Sequence, residues 1–448
     1  MALYNKQLHV RKNGVVTNIN LYTTASETGN LALGVKDGST TVYAKLGVPT
    51  DSLASPLRVR KNGSIYAVLT SAAEPVITPL FSYTVATEYY SAGSAGAIYG
   101  DRNASPTTYT VQPHKVTNLN GDPAIFDFFQ GTAGRLVLRQ YNYSPYAPNN
   151  KIIDPLNTTW RPFIAEQSWS NIANLHAAAT NDRWLYATGY DLGRIAVVDM
   201  SNNYWQSTVL PTYQFPTSWP AISLPSTASC HGEGLVTVGN YLYALFYVNI
   251  GNDYQYYLNS IVVKLAMNKT TGSLIYINHL EVGKNAFTLE HFNNKLYICC
   301  VGGMQKGGSA NTETCLDIVD LATFSKTTVA KTTGMIGDIR SITIADAEHA
   351  YIFMGHYDSY FGNMIGSVYH TSVANITVPA SWTKVTDVKN PGYLWGLHND
   401  SNHLWFVKGR TIEIFESLPT SPANAVKSFN TADLGIVTGN INAFNPIL

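Results

Sequence analysis

Residues 182–203 read DRWLYATGYDLGRIAVVDMSNN. WLYATGY alternates large and small side chains, a glycine-bearing turn follows, and RIAVVDM is a second apolar run that ends in Ser-Asn-Asn. Two such runs around a turn make one up-and-down unit of antiparallel sheet. The unit returns along the chain. YLYALFYVNI (241–250) precedes SIVVKLAMNKTTG, KLYICCVGG (295–303) precedes CLDIVDLATFSKT, HAYIFMGHYD (349–358) precedes GSVYHTSVANI, and HLWFVKG (403–409) precedes TIEIFESL. With Leu185, Leu242, Leu296, Tyr351 and Leu404 as equivalent anchors, the steps are 57, 54, 55 and 53 residues. A fixed step of about 50 residues carrying only strand pattern is the signature of propeller blades.

The expected fold is therefore all-β, with a propeller over residues 116–448. AIFDFFQG (124–131) and RLVLRQYNY (135–143) read as middle strands of an earlier blade, with Phe126 about one step before Leu185. GNINAFNPIL (439–448) is expected to supply the missing innermost strand of that blade, because closing the ring removes exposed sheet edges. This gives six blades, or seven if residues 81–111 or 415–436 hold another.

A smaller repeat occupies residues 1–70. LHVRKNGVVTNINL (8–21) matches LRVRKNGSIYAVL (57–69), and LGVKDGSTTVYAKL (33–46) lies between them. Asn13-Gly14, Asp37-Gly38 and Asn62-Gly63 fall 24 and 25 residues apart, and such dipeptides are the strongest short hairpin signal. Three tandem hairpins are too thin to bury their own apolar faces, so this module is expected to pack on a partner, another copy or the propeller. Residues 71–115, rich in Ser, Thr, Pro, Ala and Gly, read as a connector.

Composition narrows the function. The chain has 448 residues, 45% of them hydrophobic, and only 13% charged against roughly 25% in ordinary globular chains. Lys+Arg and Asp+Glu balance at 29 each, so no basic excess exists to neutralise phosphates and nucleic acid is not expected as a partner. No stretch approaches 18 apolar residues, and the first residues carry no apolar signal run. The expectation is synthesis in a cytoplasm, with release by lysis or as part of a particle. Cys230, Cys299, Cys300 and Cys315 show no paired metal-ligand spacing; Cys299 and Cys300, adjacent on one strand, point to opposite faces and read as small core residues.

Two kinds of site residue stand out. The long segments YNYSPYAPNN (141–150), TYQFPTSWP (212–220), VNIGNDYQYYLN (248–259) and GHYDSYFGN (355–363) display aromatics beside Asn and Asp, which suits stacking and edge hydrogen bonds to a sugar or protein. Tyr143, Tyr146, Trp219, Tyr254, Tyr256, Tyr257, Tyr357 and Tyr360 are the ligand-binding candidates. The opposing reading packs these rings onto the blades. His176, His231, His291 and His398 precede or open blade anchors and could line the channel; neutral imidazoles suit zinc, iron or copper, so a channel metal is the alternative to no cofactor. The distances of these histidines from the anchors differ, which argues against one height. Asp182, Asp191, Glu233, Asp338 and Asp358 offer carboxylates, but no local pattern pairs two of them as a glycosidase needs. The repeated Asp boxes of sialidase propellers, the Trp-Asp and kelch signatures, a nucleophile elbow and a phosphate loop do not occur. GGMQKGG (302–308) lies between strands and reads as a hairpin loop.

The L-x-V-R-x-N-G phrases, each followed by an alternating strand, resemble repeats of bacteriophage and prophage tail-associated proteins. That resemblance covers about a sixth of the chain. It implies a virion or extracellular-particle protein that forms a homo-oligomer. Residues 1–70 would dock on other particle proteins, and the propeller would face outward as a non-enzymatic receptor-binding domain for a cell-surface glycan or protein. The alternative is a propeller enzyme, a glycan hydrolase or metal-dependent lyase, acting at the channel mouth.

Overall fold

The computed structural model describes residues 7–12, 15–25, 31–37, 40–45, 57–61, 64–68, 81–86, 93–119, 124–130, 133–139, 141–143, 146–148, 151–154, 157–162, 175–181, 183–189, 193–199, 213–214, 222–250, 256–304, 308–359, 362–389, 395–433 and 440–446. It divides into two compact units, Met1–Val76 and Ile77–Leu448. Among the described residues the regular elements are strands and short 3-10 turns, and no helix is long and apolar enough to cross a membrane.

In the first unit, Gln7–Lys12, Val15–Ala25, Leu31–Asp37 and Thr40–Lys45 form one antiparallel sheet. Leu57–Lys61 and Ser64–Val68 form a separate hairpin. Lys12 pairs with Val15 and Lys61 with Ser64; the expected turn residues Asn13-Gly14 and Asn62-Gly63 lie outside the described residues. Asp37, expected in the middle turn, pairs with Thr40 on a strand instead, and Gly38 lies outside the described residues.

The second unit is a β-propeller. Five blades of four consecutive antiparallel strands run in chain order. Blade 1 is Leu175–Asn181, Trp184–Gly189, Arg194–Asp199 and Tyr213–Gln214. Blade 2 is Ala228–Val238, Tyr241–Ile250, Tyr257–Met267 and Leu274–Lys284. Blade 3 is Ala286–Phe292, Lys295–Cys300, Cys315–Asp320 and Ser325–Ala330. Blade 4 is Asp338–Ile344, Ala350–Tyr357, Met364–Thr371 and Thr383–Lys389. Blade 5 is Trp395–Asn399, Leu404–Lys408, Thr411–Ile414 and Lys427–Asn430. All five anchors fall on second strands.

The six- or seven-blade arrangement expected from the sequence is corrected here, because its additional blade is not built as expected. Phe126 lies on a first strand, Ala124–Gln130, which already opens its own sheet with Ala133–Arg139, Lys151–Asp154 and Asn157–Pro162. The C-terminal strand Asn440–Pro446 pairs instead with Phe81–Ala86, and Gly93–Tyr99 and Thr110–Leu119 complete that sheet. Residues 71–115 are therefore not merely a connector. Strands lie within 81–111, where the sequence allowed a further blade, and the partner of Phe81–Ala86 is more than 300 positions away, beyond the reach of local pattern. These two sheets flank the five blades, and the first strands of all the sheets neighbour one another in turn, Asn440–Pro446 lying next to both Ala124–Gln130 and Trp395–Asn399.

Burial explains why second strands carry the strongest signal. In Tyr241–Ile250 every residue but the two ends is buried, since both faces meet a neighbouring blade. The outermost strand Ser325–Ala330 buries only Val329. Asn293 and Asn294, with φ of 45° and 57°, form the tight turn that joins the first two strands of blade 3. The apolar clusters lie between sheets. Trp184, Val197, Phe246 and Leu265 join blades 1 and 2. Ile98 and Tyr109 pack with Trp405, Ile414 and Ile441 between the closing sheet and blade 5. There Tyr109 stacks on Trp405 with centroids 5.6 Å apart, and Lys427 Nζ donates to the carbonyls of Thr107 and Tyr109 at 3.0 and 3.1 Å.

Candidate functional site

First strands run from one end of the ring to the other, and the loops joining second to third strands emerge at their starting end. In blades 2, 3 and 4 these loops are residues 251–256, 301–314 and 358–363. The loops of blades 3 and 4 are tied together, the Gly308 N–H donating to the Tyr357 carbonyl at 2.6 Å. The blade 4 loop is held by its own acid: Asp358 Oδ1 accepts from the Asn363 N–H at 2.8 Å and from the Ser359 hydroxyl at 3.1 Å. Tyr256, on the blade 2 loop, is 62% exposed.

Beneath the tied loops sits a buried charge cluster. Arg340, fully buried, donates through Nη2 to Asp338 Oδ2 at 3.1 Å and through Nε to the Gly355 carbonyl at 2.6 Å. Its guanidinium lies 5.4 Å from the Tyr357 ring. Asp338 also accepts from the Asn311 N–H at 2.5 Å and its side-chain amide at 3.3 Å, which anchors the blade 3 loop on blade 4. Burial raises the Asp338 carboxyl pKa and lowers that of Arg340, each against the pull of the other. Burial also lowers the His356 pKa, and its Nδ1 has no hydrogen-bond partner.

The channel-lining strands hold two further shifted groups. Glu290, on the first strand of blade 3, is pushed up to about 7 by burial although its carboxylate accepts the Ile344 N–H of blade 4. His398, on the first strand of blade 5, is pushed down to about 4 by burial.

The four histidines lie on first strands. His231 sits near the loop end of blade 2, its Nε2 3.1 Å from Asn249 Oδ1 and its ring stacked on Tyr247 with centroids 4.5 Å apart. His291 and His398 lie toward the opposite ends of their strands. The His291 pKa is lowered by burial and its Nε2 has no partner. The His176 side chain lies outside the described residues. Among the described residues, no cluster of three donor atoms within 4.8 Å includes any of these histidines. Their unequal offsets from the anchors place them at different heights, since height along a first strand follows position in sequence.

Of the loop aromatics, Tyr256 is exposed as expected. Tyr257 is partly buried on the third strand of blade 2, its ring 5.6 Å from Tyr247. Tyr357 is only 3% exposed and packs inward over Arg340, so it is not a ligand platform. The reason is register: Tyr357 is the last residue of a paired strand, opposite Met364. Tyr254, Tyr360 and Trp219 lie outside the described residues. Tyr143 and Tyr146 pair on a short hairpin whose side chains are also outside them. The sequence reading missed the partners Arg340 and Asn311.

A ring of four-stranded antiparallel blades with tied loops at one end defines a β-propeller protein. Solved structures are similar in fold. A protein of Bacteroides fragilis provisionally named 6-phosphogluconolactonase aligns with a TM-score of 0.54 and 12% identity, covering 83% of this chain and 98% of its own. A second of that provisional name, from Bacteroides uniformis, gives 0.53 and 11%, covering 82% and 99%. A protein of Lactobacillus plantarum gives 0.52 and 12%, covering 82% and 99%. At such identities the likeness is one of fold alone. No protein-family model matches the sequence, and no curated protein matches it.

Proposed function

We propose that the propeller is a recognition domain whose loop end holds a cell-surface glycan or protein, and that residues 1–76 attach it to a phage tail or similar particle. The observation that carries the first part is the pinned loop pair, Gly308 to Tyr357, at the same end of the ring as the exposed Tyr256. Loops fixed before binding lose little entropy on binding, and an exposed tyrosine offers a flat apolar face with a polar tip. The acid beneath them, Asp338, is occupied by Arg340 and Asn311, which suits a rigid support better than a reacting group. The attachment role rests on the VRKNG hairpins. Full-length chain on a glycan array and on whole cells tests the reading. Binding is expected, and Tyr256→Ala is expected to weaken it about tenfold or more. Absence of binding, together with turnover of a sugar substrate, would reject it.

The enzyme alternative is favoured by Glu290. A carboxyl titrating near 7 in a channel is poised as a general base toward water. The provisional name of the structural neighbours makes a phosphorylated sugar lactone the first substrate to try. Hydrolysis abolished in Glu290→Gln, with a pH profile breaking near 7 in the unmodified chain, would establish this reading instead.

A further inference from the structure

We infer that Cys300, Cys315 and Asp317 form a binding site for a thiophilic divalent cation of the zinc class, independent of the channel and of the loop-end reading above. Cys300 ends the second strand of blade 3 and Cys315 opens the third, and the two are direct cross-strand partners. Asp317, two residues on from Cys315, faces the same side of the sheet. One ligand atom from each of the three lies within 4.8 Å of the others, and all three residues are buried. Two sulfurs bound tetrahedrally at about 2.3 Å from zinc stand about 3.8 Å apart, which fits that spacing.

The surroundings are shaped for it. Gly283, from the last strand of blade 2, covers the cluster with no side chain; a Cβ there would lie 2.7 Å from Cys315 Sγ and 3.0 Å from Cys300 Sγ. Asp317 accepts from the Gly283 N–H at 2.7 Å, the Thr328 hydroxyl at 2.5 Å and Lys326 Nζ at 3.3 Å. A carboxylate has about four lone-pair sites, so three orienting donors leave one for an ion. Charge also favours a divalent cation. Two thiolates and a carboxylate carry three negative charges, which Zn²⁺ and the Lys326 ammonium balance. A buried site that ends neutral avoids the cost of an uncompensated charge. A fourth donor would be water or a main-chain oxygen. Binding releases the two thiol protons to solvent and involves no redox change. The ion would clip the base of the loop 301–314, whose far side is anchored on blade 4 through Asn311 and Gly308.

The test uses full-length chain, unfolded and refolded under reducing conditions with Co²⁺ as an optical probe and then with Zn²⁺. Expected are a thiolate-to-cobalt absorption band saturating at one ion per chain, its displacement by Zn²⁺, and a higher melting temperature with Zn²⁺. Cys300→Ser/Cys315→Ser should lose the band and the zinc-dependent shift. Asp317→Asn, which keeps the shape, should bind more than about tenfold more weakly. Circular dichroism of each variant separates lost binding from lost fold; where the double variant does not fold, the cobalt stoichiometry of the unmodified chain and the Asp317→Asn affinity decide. No band and no thermal shift in the unmodified chain would overturn the inference. So would a band that survives in the folded double variant, unchanged affinity in Asp317→Asn, or isolation of the chain with a Cys300–Cys315 disulfide and no ion.

Discussion

Asp338→Ala is expected to destabilise the propeller by about 3–5 kcal/mol, measured by chemical denaturation, because it leaves the Arg340 guanidinium buried without its carboxylate. Arg340 has no exposed surface and cannot turn to water. The same change removes the acceptor for Asn311 and so frees the blade 3 loop from blade 4. Replacing both partners, Asp338→Leu with Arg340→Met, should restore much of the loss, since the cost lies in the orphaned charge more than in the absence of attraction. The opposed pKa shifts fit that view: burial outweighs the partner's pull at both groups. A loss below about 1 kcal/mol in Asp338→Ala would mean that water reaches Arg340, which its burial denies.

A second large effect concerns pH, with two half-buried groups of opposite sign. Glu290 is raised from 4.5 to about 7, so the folded chain holds this proton more tightly than the unfolded one. Its contribution is fully present below pH 4.5 and is lost as pH rises to about 7. His398 is lowered from 6.5 to about 4, so the folded chain resists protonation there. Its contribution is present above pH 6.5 and is lost as pH falls toward 4. At about 1.4 kcal/mol per pKa unit, each amounts to an effect on the order of 3 kcal/mol. Between pH 4.5 and 6.5 the two slopes oppose each other, and their sum in the unmodified chain should be nearly flat. Glu290→Gln should expose a rise in stability with pH over that window, and His398→Gln a fall. Stability measured by denaturant titration at several pH values checks this; parallel profiles in all three proteins would show that neither group is shifted on folding.

The blades were legible because second strands are buried on both faces, so YLYALFYV and AYIFMGHY carry an unbroken apolar signal that a solvated strand lacks. The closing sheet was less so, because GSAGAIY has few large side chains and the strand beside it, Phe81–Ala86, pairs with one from the far end of the chain. The C-terminal strand was correctly read as a closing strand but assigned to the wrong sheet. Phe126 had been aligned with second-strand anchors, although it opens its own sheet.

The site was less legible than the fold. A signal for the missed groups does exist: Asp317 interrupts CLDIVD and Arg340 interrupts DIRSITI, each a charge inside an otherwise buried strand. Such a charge must find a partner, but sequence does not say which, since Arg340 bonds a residue two positions away and a carbonyl on the next strand. Tyr256 and Tyr357 looked equivalent in sequence, both on aromatic loops. Tyr357 ends a strand buried along its whole length, while Tyr256 precedes its strand and keeps its ring exposed although its carbonyl accepts the Ile250 N–H.

All of this depends on a ring closed by Asn440–Pro446 against Phe81–Ala86, which sets one end of the first strands as the loop end. Ala443 and Thr84 are direct partners in that pairing. Opposed residues of antiparallel strands lie about 4.5–5.5 Å apart at Cα, within the range a disulfide spans. A Thr84→Cys/Ala443→Cys chain, oxidised mildly and mapped after proteolysis, should yield the 84–443 linked peptide from folded protein and not from denatured protein. Free thiols at both positions in a folded chain, with residues 440–448 removable at no loss of stability, would contradict the closure.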